Sequence, residues 1–315
     1  MLLKEICVLG GSGFVGSAIV AKLDAAGYAV KVLTRRRDSA KHLLLLPNVQ
    51  VVECNVLDYQ AMNGALRGAD AVINLLGVLH QSRHLSFNAI HHQLPAQLAK
   101  ICVDLNIKRL VHMSSLRAGK NAPSQYLRSK GAGEVALAVH QNELNITIFK
   151  PSIIFGRDDS FINLFSSLVK LLPVVMLAKP NAKFQPVWVE DVASCFVACL
   201  SNHATYGQTY ELAGPKVYSF RELVQTVMNT LQIQRPIIGL NDPLSYAQAF
   251  MMELLPIKLM SRDNIRSMEV DSVSEQAFPA VFNLTPTAVE TVIPQYLVDQ
   301  TPRGAYDGFR RAAAR

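Results

Sequence analysis

Three features of the sequence predict a doubly wound α/β fold: a parallel sheet covered by helices on both faces, with a smaller C-terminal lobe. The first half alternates short apolar runs with helical patterns. Those runs are apolar at successive positions, as strands buried on both faces require. The first of them ends in glycines that open a helix, the strand–turn–helix context of a phosphate-binding loop.

Lys4–Gly10 (KEICVLG) is the first strand, and Phe14–Ala26 has helical periodicity and stops before Gly27. Ala29–Thr34, Val49–Asn55 and Asp70–Leu76 are the next three strands. Arg109–Ser115 is the fifth, after a helix ending near Asn106, and Ile146–Lys150 the sixth, after a helix from about Ser124 to His140. Right-handed crossovers between such strands wind helices onto both faces. After Pro151 helices dominate, with two more expected strands at Gln185–Val189 and Thr209–Leu212. The expected division is a dinucleotide-binding core over 1–151 and a substrate lobe over 152–315, with 184–214 partly returning to the core.

The chain has 315 residues, half of them hydrophobic, which is enough to bury a sizeable core. Its net charge is +7, but the lysines and arginines are scattered. No basic stripe or nucleic-acid-reading motif accompanies them, so nucleic acid is not an expected partner. The five cysteines (Cys7, Cys54, Cys102, Cys195 and Cys199) form no CxxC pair and read as buried thiols of a reducing compartment. No metal-ligand spacing is found. The opening MLLKEICVLGG lacks the layout of a signal peptide, and no apolar run is long enough to span a bilayer. The expected location is cytoplasmic, with peripheral contact at the inner face of a membrane left open.

Gly10-Gly11-Ser12-Gly13-Phe14-Val15-Gly16 satisfies the G-x-G-x-x-G template between strand and helix. Glycines there permit the tight turn, the approach of a pyrophosphate to the backbone and the close packing of helix on strand. The helix start adds free N–H groups and a positive dipole end. The second strand ends in Thr34-Arg35-Arg36-Arg37, where a binder of NAD would carry an acid for the ribose hydroxyls. Arginines there favour a 2′-phosphate, so the expected cofactor is NADP(H), with NAD(H) as the alternative. Asn55 and Val56 end the third strand on the adenine side. Asn74-Leu75-Leu76-Gly77 ends the fourth and should pass near the ribose.

The remaining chemistry lies in MSSLRAGKNAPSQYLRSK, residues 113–130. Tyr126 and Lys130 are four residues apart and share a helical face. A protonated lysine beside the phenol is expected to lower the tyrosine pKa. Ser114 or Ser115 closes the preceding strand and can hydrogen-bond a substrate carbonyl.

The loop GGSGFVG, the strand-end serines and YLRSK together resemble the short-chain dehydrogenase/reductase superfamily. KPSIIFG (Lys150–Gly156) and QPVWVEDVA (Gln185–Ala193) are similar to its extended or atypical branch of epimerases, dehydratases and hydroxysteroid dehydrogenases. INLLGVL, FQPVWVEDVA and LLPIKLMSRDNIRSMEVDSV resemble bacterial relatives of the nucleotide-binding accessory subunit of respiratory complex I. The resemblance implies that Gly10, Gly13 and Gly16 hold the pyrophosphate. It also implies that Tyr126 is the acid/base, Lys130 its partner and a ribose ligand, and Ser115 the carbonyl-orienting residue, with Ser114 the close alternative. Ser114, Pro151 and Ile153 complete the expected cofactor set. The implied activity is oxidoreduction, or epimerase/dehydratase chemistry, on a small apolar, quinone- or isoprenoid-like carbonyl or alcohol. The alternative is a non-catalytic NADPH-bound accessory or sensor subunit on a respiratory membrane complex.

Other residues have blander expectations. His91 and His92 lack a third ligand, so packing or solvation is expected; His80 and His84 are candidates for the wall of a substrate cleft. Glu190 and Asp191 are expected to cap the following helix. The stripe Phe161, Ile162, Leu164, Phe165, Leu168, Leu171 and Leu172 is either domain core or the wall of a lipophilic substrate pocket, or else a basic membrane-facing surface, and so is the cluster Phe250, Met251, Leu254, Leu255, Ile257, Leu259 and Met260.

Overall fold

The computed structural model describes residues 3–81, 85–254 and 260–298. Its centre is a parallel sheet built from β1 (Glu5–Leu9), β2 (Ala29–Thr34), β3 (Val49–Glu53), β4 (Ala71–Asn74), β5 (Arg109–Met113) and β6 (Asn145–Pro151). Between them run α1 (Phe14–Ala25), α2 (Tyr59–Leu66), α3 (Leu94–Asp104) and α4 (Gln125–Ala138). The chain continues through β7 (Ile154–Phe155), α5 (Ile162–Leu171), β8 (Val175–Leu177), β9 (Lys183–Phe184), β10 (Val187–Trp188), α6 (Val189–Ser201) and β11 (Thr209–Leu212). It then forms β12 (Tyr218–Ser219), α7 (Phe220–Leu231), β13 (Ile237–Gly239), α8 (Asp242–Glu253), α9 (Arg262–Ser267), α10 (Val289–Val292) and α11 (Pro294–Leu297). The main sheet has the order β11-β6-β5-β4-β1-β2-β3, with every neighbouring pair parallel. Strand order reverses between β1 and β4, and ligands of such sheets bind at the carboxyl ends beside that reversal.

The period of two along β1 divides the core. Ile6 and Val8 face α1 and α6, with Ile19, Val20, Leu23, Val192 and Phe196. Cys7 and Leu9 face α2 and α3, with Met62, Leu98, Ile101 and Cys102. All five cysteines are buried free thiols.

The fourth strand is shorter than its apolar run. Asn74 Oδ1 accepts the Leu76 N–H at 3.2 Å, a local side-chain turn that diverts Leu75–Gly77 into a loop. Pro95 has a comparable local effect on α3. It lacks an N–H for the His91 carbonyl, and the preceding turn, Ala89–Gln93, widens to a π-helix. Gly133 of α4 lies against that carbonyl; a Cβ there would come within 2.0 Å of the His91 oxygen.

The C-terminal lobe has its own core. Phe161, Phe165, Phe184 and Phe220 pack ring against ring, with α5 and α7 supplying Ile162, Val169, Leu223 and Val227. The apolar stripe of α5 is therefore largely lobe core, although Leu171 is exposed. In the second cluster Phe250, Met251 and Leu254 are exposed, while Leu255, Ile257 and Leu259 lie outside the described residues. No helix among the described residues is long and apolar enough to cross a membrane.

Candidate functional site

The glycine loop joins β1 to α1. Gly10 has φ +81°, a left-handed conformation that favours glycine, and its carbonyl accepts the Gly13 N–H at 3.2 Å. A Cβ on Gly16 would lie 2.2 Å from the Gly10 carbonyl oxygen and 2.6 Å from Gly11 Cα. The loop thus closes on itself through bare backbone, and the start of α1 faces the space above it. A cavity of about 210 Å³ adjoins it, lined by residues that include Gly10, Ser12, Thr34, Arg35, Arg36 and Leu76. Leu33, Ser39 and Val56 complete the lining. A narrow cleft of backbone and aliphatic side chains ending at two arginines fits the adenosine end of a pyridine dinucleotide. The N–H groups of the loop could hold its diphosphate.

Gly16→Ala is expected to weaken nucleotide binding about 5- to 150-fold, because overpacking against unyielding backbone costs ~1–3 kcal/mol. Gly64→Ala, whose Cβ would meet nothing within 4 Å, should leave binding unchanged. Fluorescence titration with NADPH reads both; equal affinities for the two variants would refute the close-packed loop.

Not every expected nucleotide residue faces this cavity. Val56 lines it, whereas Asn55 lies outside the lining and its Oδ1 accepts the Leu57 N–H at 3.2 Å. Leu75 lies behind Gly10, and Val15 packs on the core beneath α1. Phe14 turns its ring toward Gly156 and lines a second cavity of about 390 Å³ with Arg157, Trp188 and Tyr296. Ser39 was not legible as a lining residue. Its hydroxyl, like that of Thr34, donates to the Arg36 carbonyl and fixes the turn after β2.

The acid/base candidates meet at the carboxyl ends of β4 and β5. The Ser115 hydroxyl lies beside the Tyr126 phenol and draws its pKa down, while its own hydrogen bond runs to the Leu116 carbonyl at 3.4 Å. Ser114 faces elsewhere: its hydroxyl donates to Glu134 of α4, so Ser115 is the serine at the phenol. Pro151 accepts the Leu116 N–H at 2.9 Å and Ile153 accepts that of Val187 at 2.9 Å, which ties the end of β6 to the loop after β5 and to β10. Lys130 is 2% exposed and donates from Nζ to the Met113 carbonyl at 3.0 Å. Its Nζ lies against Gly77, where a Cβ would meet it at 3.2 Å.

The expected effect of lysine on tyrosine is not found. Burial raises the Tyr126 pKa, and the neighbouring Ser115 only partly opposes it. Lys130 is aimed at the β5 carbonyl, and its own desolvation brings its pKa down to about 8. With its pKa raised, the half-buried phenol stays protonated at neutral pH, the form that donates a proton.

Residues remote in sequence hold Tyr126 in place. Asp263 of α9 accepts the backbone N–H groups of Gln125 and Tyr126 at 2.8 and 2.9 Å. Ser124 caps α4 by accepting the Leu127 N–H at 3.1 Å. His91 Nε2 accepts the Val78 N–H at 3.0 Å, so the ring proton is on Nδ1 and points to Ser129 Oγ, 2.8 Å away. The Ser129 hydroxyl donates in turn to the Tyr126 carbonyl at 2.7 Å. The His91 ring also meets the Tyr126 ring edge-on at 5.4 Å. Arg117, at φ +62°, reaches the carbonyls of Asp271 and Val273 and ties the loop after Ser115 to the C-terminal lobe.

His91 is therefore buried packing, as expected, while His92 hydrogen-bonds Asn88 through Nδ1. His80 is half-buried in the loop after β4, and His84 lies outside the described residues. Glu190 and Asp191 occupy the first turn of α6 but neither caps it. Glu190 pairs with Lys22 at 3.0 Å, and Asp191 is drawn away to the Thr287 N–H at 2.7 Å. Among the described residues no cluster of three or more His, Cys, Asp or Glu could hold a metal ion.

Residues 6–213, which contain both the glycine loop and the Tyr126–Lys130 helix, match the NAD dependent epimerase/dehydratase family. The chain belongs to that family. Proteins similar to it include the mitochondrial NADH dehydrogenase [ubiquinone] 1 alpha subcomplex subunit 9 of Arabidopsis thaliana, 32% identical over 289 residues. The aligned region covers 86% of this chain and 71% of that protein. The ceramide reductase of Caulobacter vibrioides is 28% identical over 193 residues, which is 61% of this chain and 60% of that one. The UDP-glucose 4-epimerase of Thermotoga maritima has the same fold, with a TM-score of 0.73 at 15% identity over 98% of this chain and 99% of the other. The family fold accounts for the cleft beside the β1–β4 reversal, and NAD(P) is the cofactor class that it accommodates.

Proposed function

We propose that this chain is an NADP(H)-dependent oxidoreductase that interconverts a carbonyl and an alcohol on an apolar substrate. The observation that carries this reading is the half-buried Tyr126 phenol, set beside Ser115 at the carboxyl edge of the sheet that also bears the nucleotide cradle. Bound nicotinamide would supply or accept the hydride. The Ser115 hydroxyl would donate to the substrate oxygen and orient the carbonyl. The Tyr126 phenol would pass its proton to that oxygen as charge develops there, and its raised pKa keeps the proton available at neutral pH. Lys130 would reach the ribose from beneath Gly77. The name ceramide reductase on one relative favours long-chain ketones as first test substrates. The test is loss of nicotinamide absorbance when the protein is mixed with NADPH and such ketones or quinones. No turnover across that panel, with NADPH bound, would remove the enzyme reading.

Arg35 and Arg36 at the end of the cleft support the preference for a 2′-phosphate. Arg35→Asp should weaken NADPH binding about 10- to 100-fold, given ~1.5–3 kcal/mol for a charged hydrogen bond, and NADH binding far less. Equal losses for both nucleotides would remove the assignment to NADP(H).

A second reading, a non-catalytic NADPH-bound accessory subunit, is favoured by the relatives named as NADH dehydrogenase subunits. It is also favoured by the exposed apolar side chains Met176, Ile238, Leu244, Met251 and Leu254. Met176 and Ile238 are register partners on β8 and β13, and α8 reaches the same strand through Gln248 and the Met176 carbonyl at 3.2 Å. Such a face suits a respiratory or membrane partner.

A further inference from the structure

Glu134 follows Lys130 by one helical turn on α4, so both project from one face. Its carboxylate is used at both oxygens. Oε1 accepts from the Ser114 hydroxyl, and Oε2 lies 3.1 Å from Lys150 Nζ on β6. Lys150 also donates to the Ala118 carbonyl at 3.1 Å. The Glu134 and Lys150 side chains are only 19% and 15% exposed. This one carboxylate therefore joins α4, the end of β5, the loop after Ser115 and β6, the segments that carry Tyr126, Lys130 and Ser115.

We infer that Glu134 is a positioning residue of the proposed active site. It anchors the Ser114–Ser115 strand end against α4 and sets its carboxylate one helical turn from Lys130. The inference rests on the oxidoreductase reading, because that reading gives Lys130 and Ser115 their roles.

The surroundings of Lys130 are otherwise hostile to charge. Desolvation draws its pKa down, and Glu134 is the group that opposes this. From the π-turn His91 faces it and from β5 His112; both rings are held neutral by burial and by Lys130 itself. Tyr126 on the same helix is a protonated phenol, and Lys150 on β6 is a second cation whose charge Glu134 shares. Removing either member of the Glu134–Lys150 pair should thus act on Lys130 with opposite sign. A purely structural link would make both changes act alike.

The test is NADPH affinity, read by nicotinamide fluorescence between pH 6.5 and 10. In the wild type, affinity should decline as the pH rises through about 8, where Lys130 loses its proton. Glu134→Gln keeps an oxygen acceptor for Ser114 but removes the charge. Its midpoint should fall by about one pH unit, a tenfold change in proton affinity. Lys150→Met leaves Glu134 without its other cation, and its midpoint should rise. If Glu134→Gln does not fold, the direction of the Lys150→Met shift decides. Midpoints that move together, or not at all, overturn the inference even if the enzyme turns over. Opposed shifts in a protein with no turnover sustain the role of Glu134 and dismiss the oxidoreductase reading instead.

Discussion

Tyr126→Phe is expected to lower kcat for NADPH oxidation by a ketone substrate about 10²- to 10⁴-fold, the usual range for loss of a positioned general acid. NADPH affinity should stay within about threefold, since the lost hydroxyl lies beside Ser115 and outside the lining of the nucleotide cleft. The ring itself should stay in place. Its backbone N–H is taken by Asp263, its carbonyl by Ser129, and its edge packs against His91 and Phe87. Loss of rate with intact binding and an intact melting temperature therefore identifies the phenol proton as the missing component. A variant as active as the wild type would mean that Tyr126 transfers no proton, and the accessory-subunit reading would gain. The wild-type pH profile provides a second check. A raised tyrosine pKa places no loss of the acid form near neutrality, so any alkaline limb near pH 8 belongs to Lys130.

The legible parts of this site share a physical reason. Gly10 and Gly16 are demanded by backbone geometry within one turn. Tyr126 and Lys130 are demanded by helical spacing within one helix. Both signals are local, and local periodicity also reveals the alternation of strands and helices that forms the sheet. The C-terminal boundaries were harder because β8, β9, β10, β12 and β13 are only two or three residues long, too short for any periodicity. The residues that hold the site together are also hidden, because they lie far away in the chain. Asp263 meets Tyr126 across 137 positions, Arg117 meets Val273 across 156, and His91 meets Ser129 across 38. The expectation for the tyrosine pKa failed for a related reason. Spacing puts Lys130 on the face of Tyr126, but the Met113 carbonyl that captures its Nζ is set by the packing of α4 on β5.

Acid should destabilise the nucleotide-free protein well before its ordinary carboxylates titrate, because His91 and His112 are buried as neutral rings. His91 is 1% exposed and its pKa is drawn from 6.5 to about 3 by desolvation, with Lys130 adding to the effect. His112, also 1% exposed, moves in the same direction for the same first cause, with Lys130 and His91 behind it. The sign follows from proton counting. Between pH 6.5 and about 3 the unfolded chain binds a proton at His91 that the folded chain refuses, so stability falls as the pH falls. The contribution is complete above pH 6.5 and lost progressively down to the folded pKa. For His91 alone it amounts to roughly 3–5 kcal/mol, at 1.36 kcal/mol per unit. Asp159 and Asp191 have raised pKa values from burial and act in the opposite direction, so the difference between the wild type and a His91 variant over the window from pH 6.5 to 5 isolates that histidine. Urea midpoints measured across that window should slope downward toward acid in the wild type. They should become shallower, with His112 supplying the slope that remains, in His91→Gln, which offers Val78 an acceptor and Ser129 a donor but carries no titrating group. Parallel slopes for the two proteins would show that His91 takes up its proton without unfolding. The hydrogen bond from the Val78 N–H would then not be what fixes its neutral form.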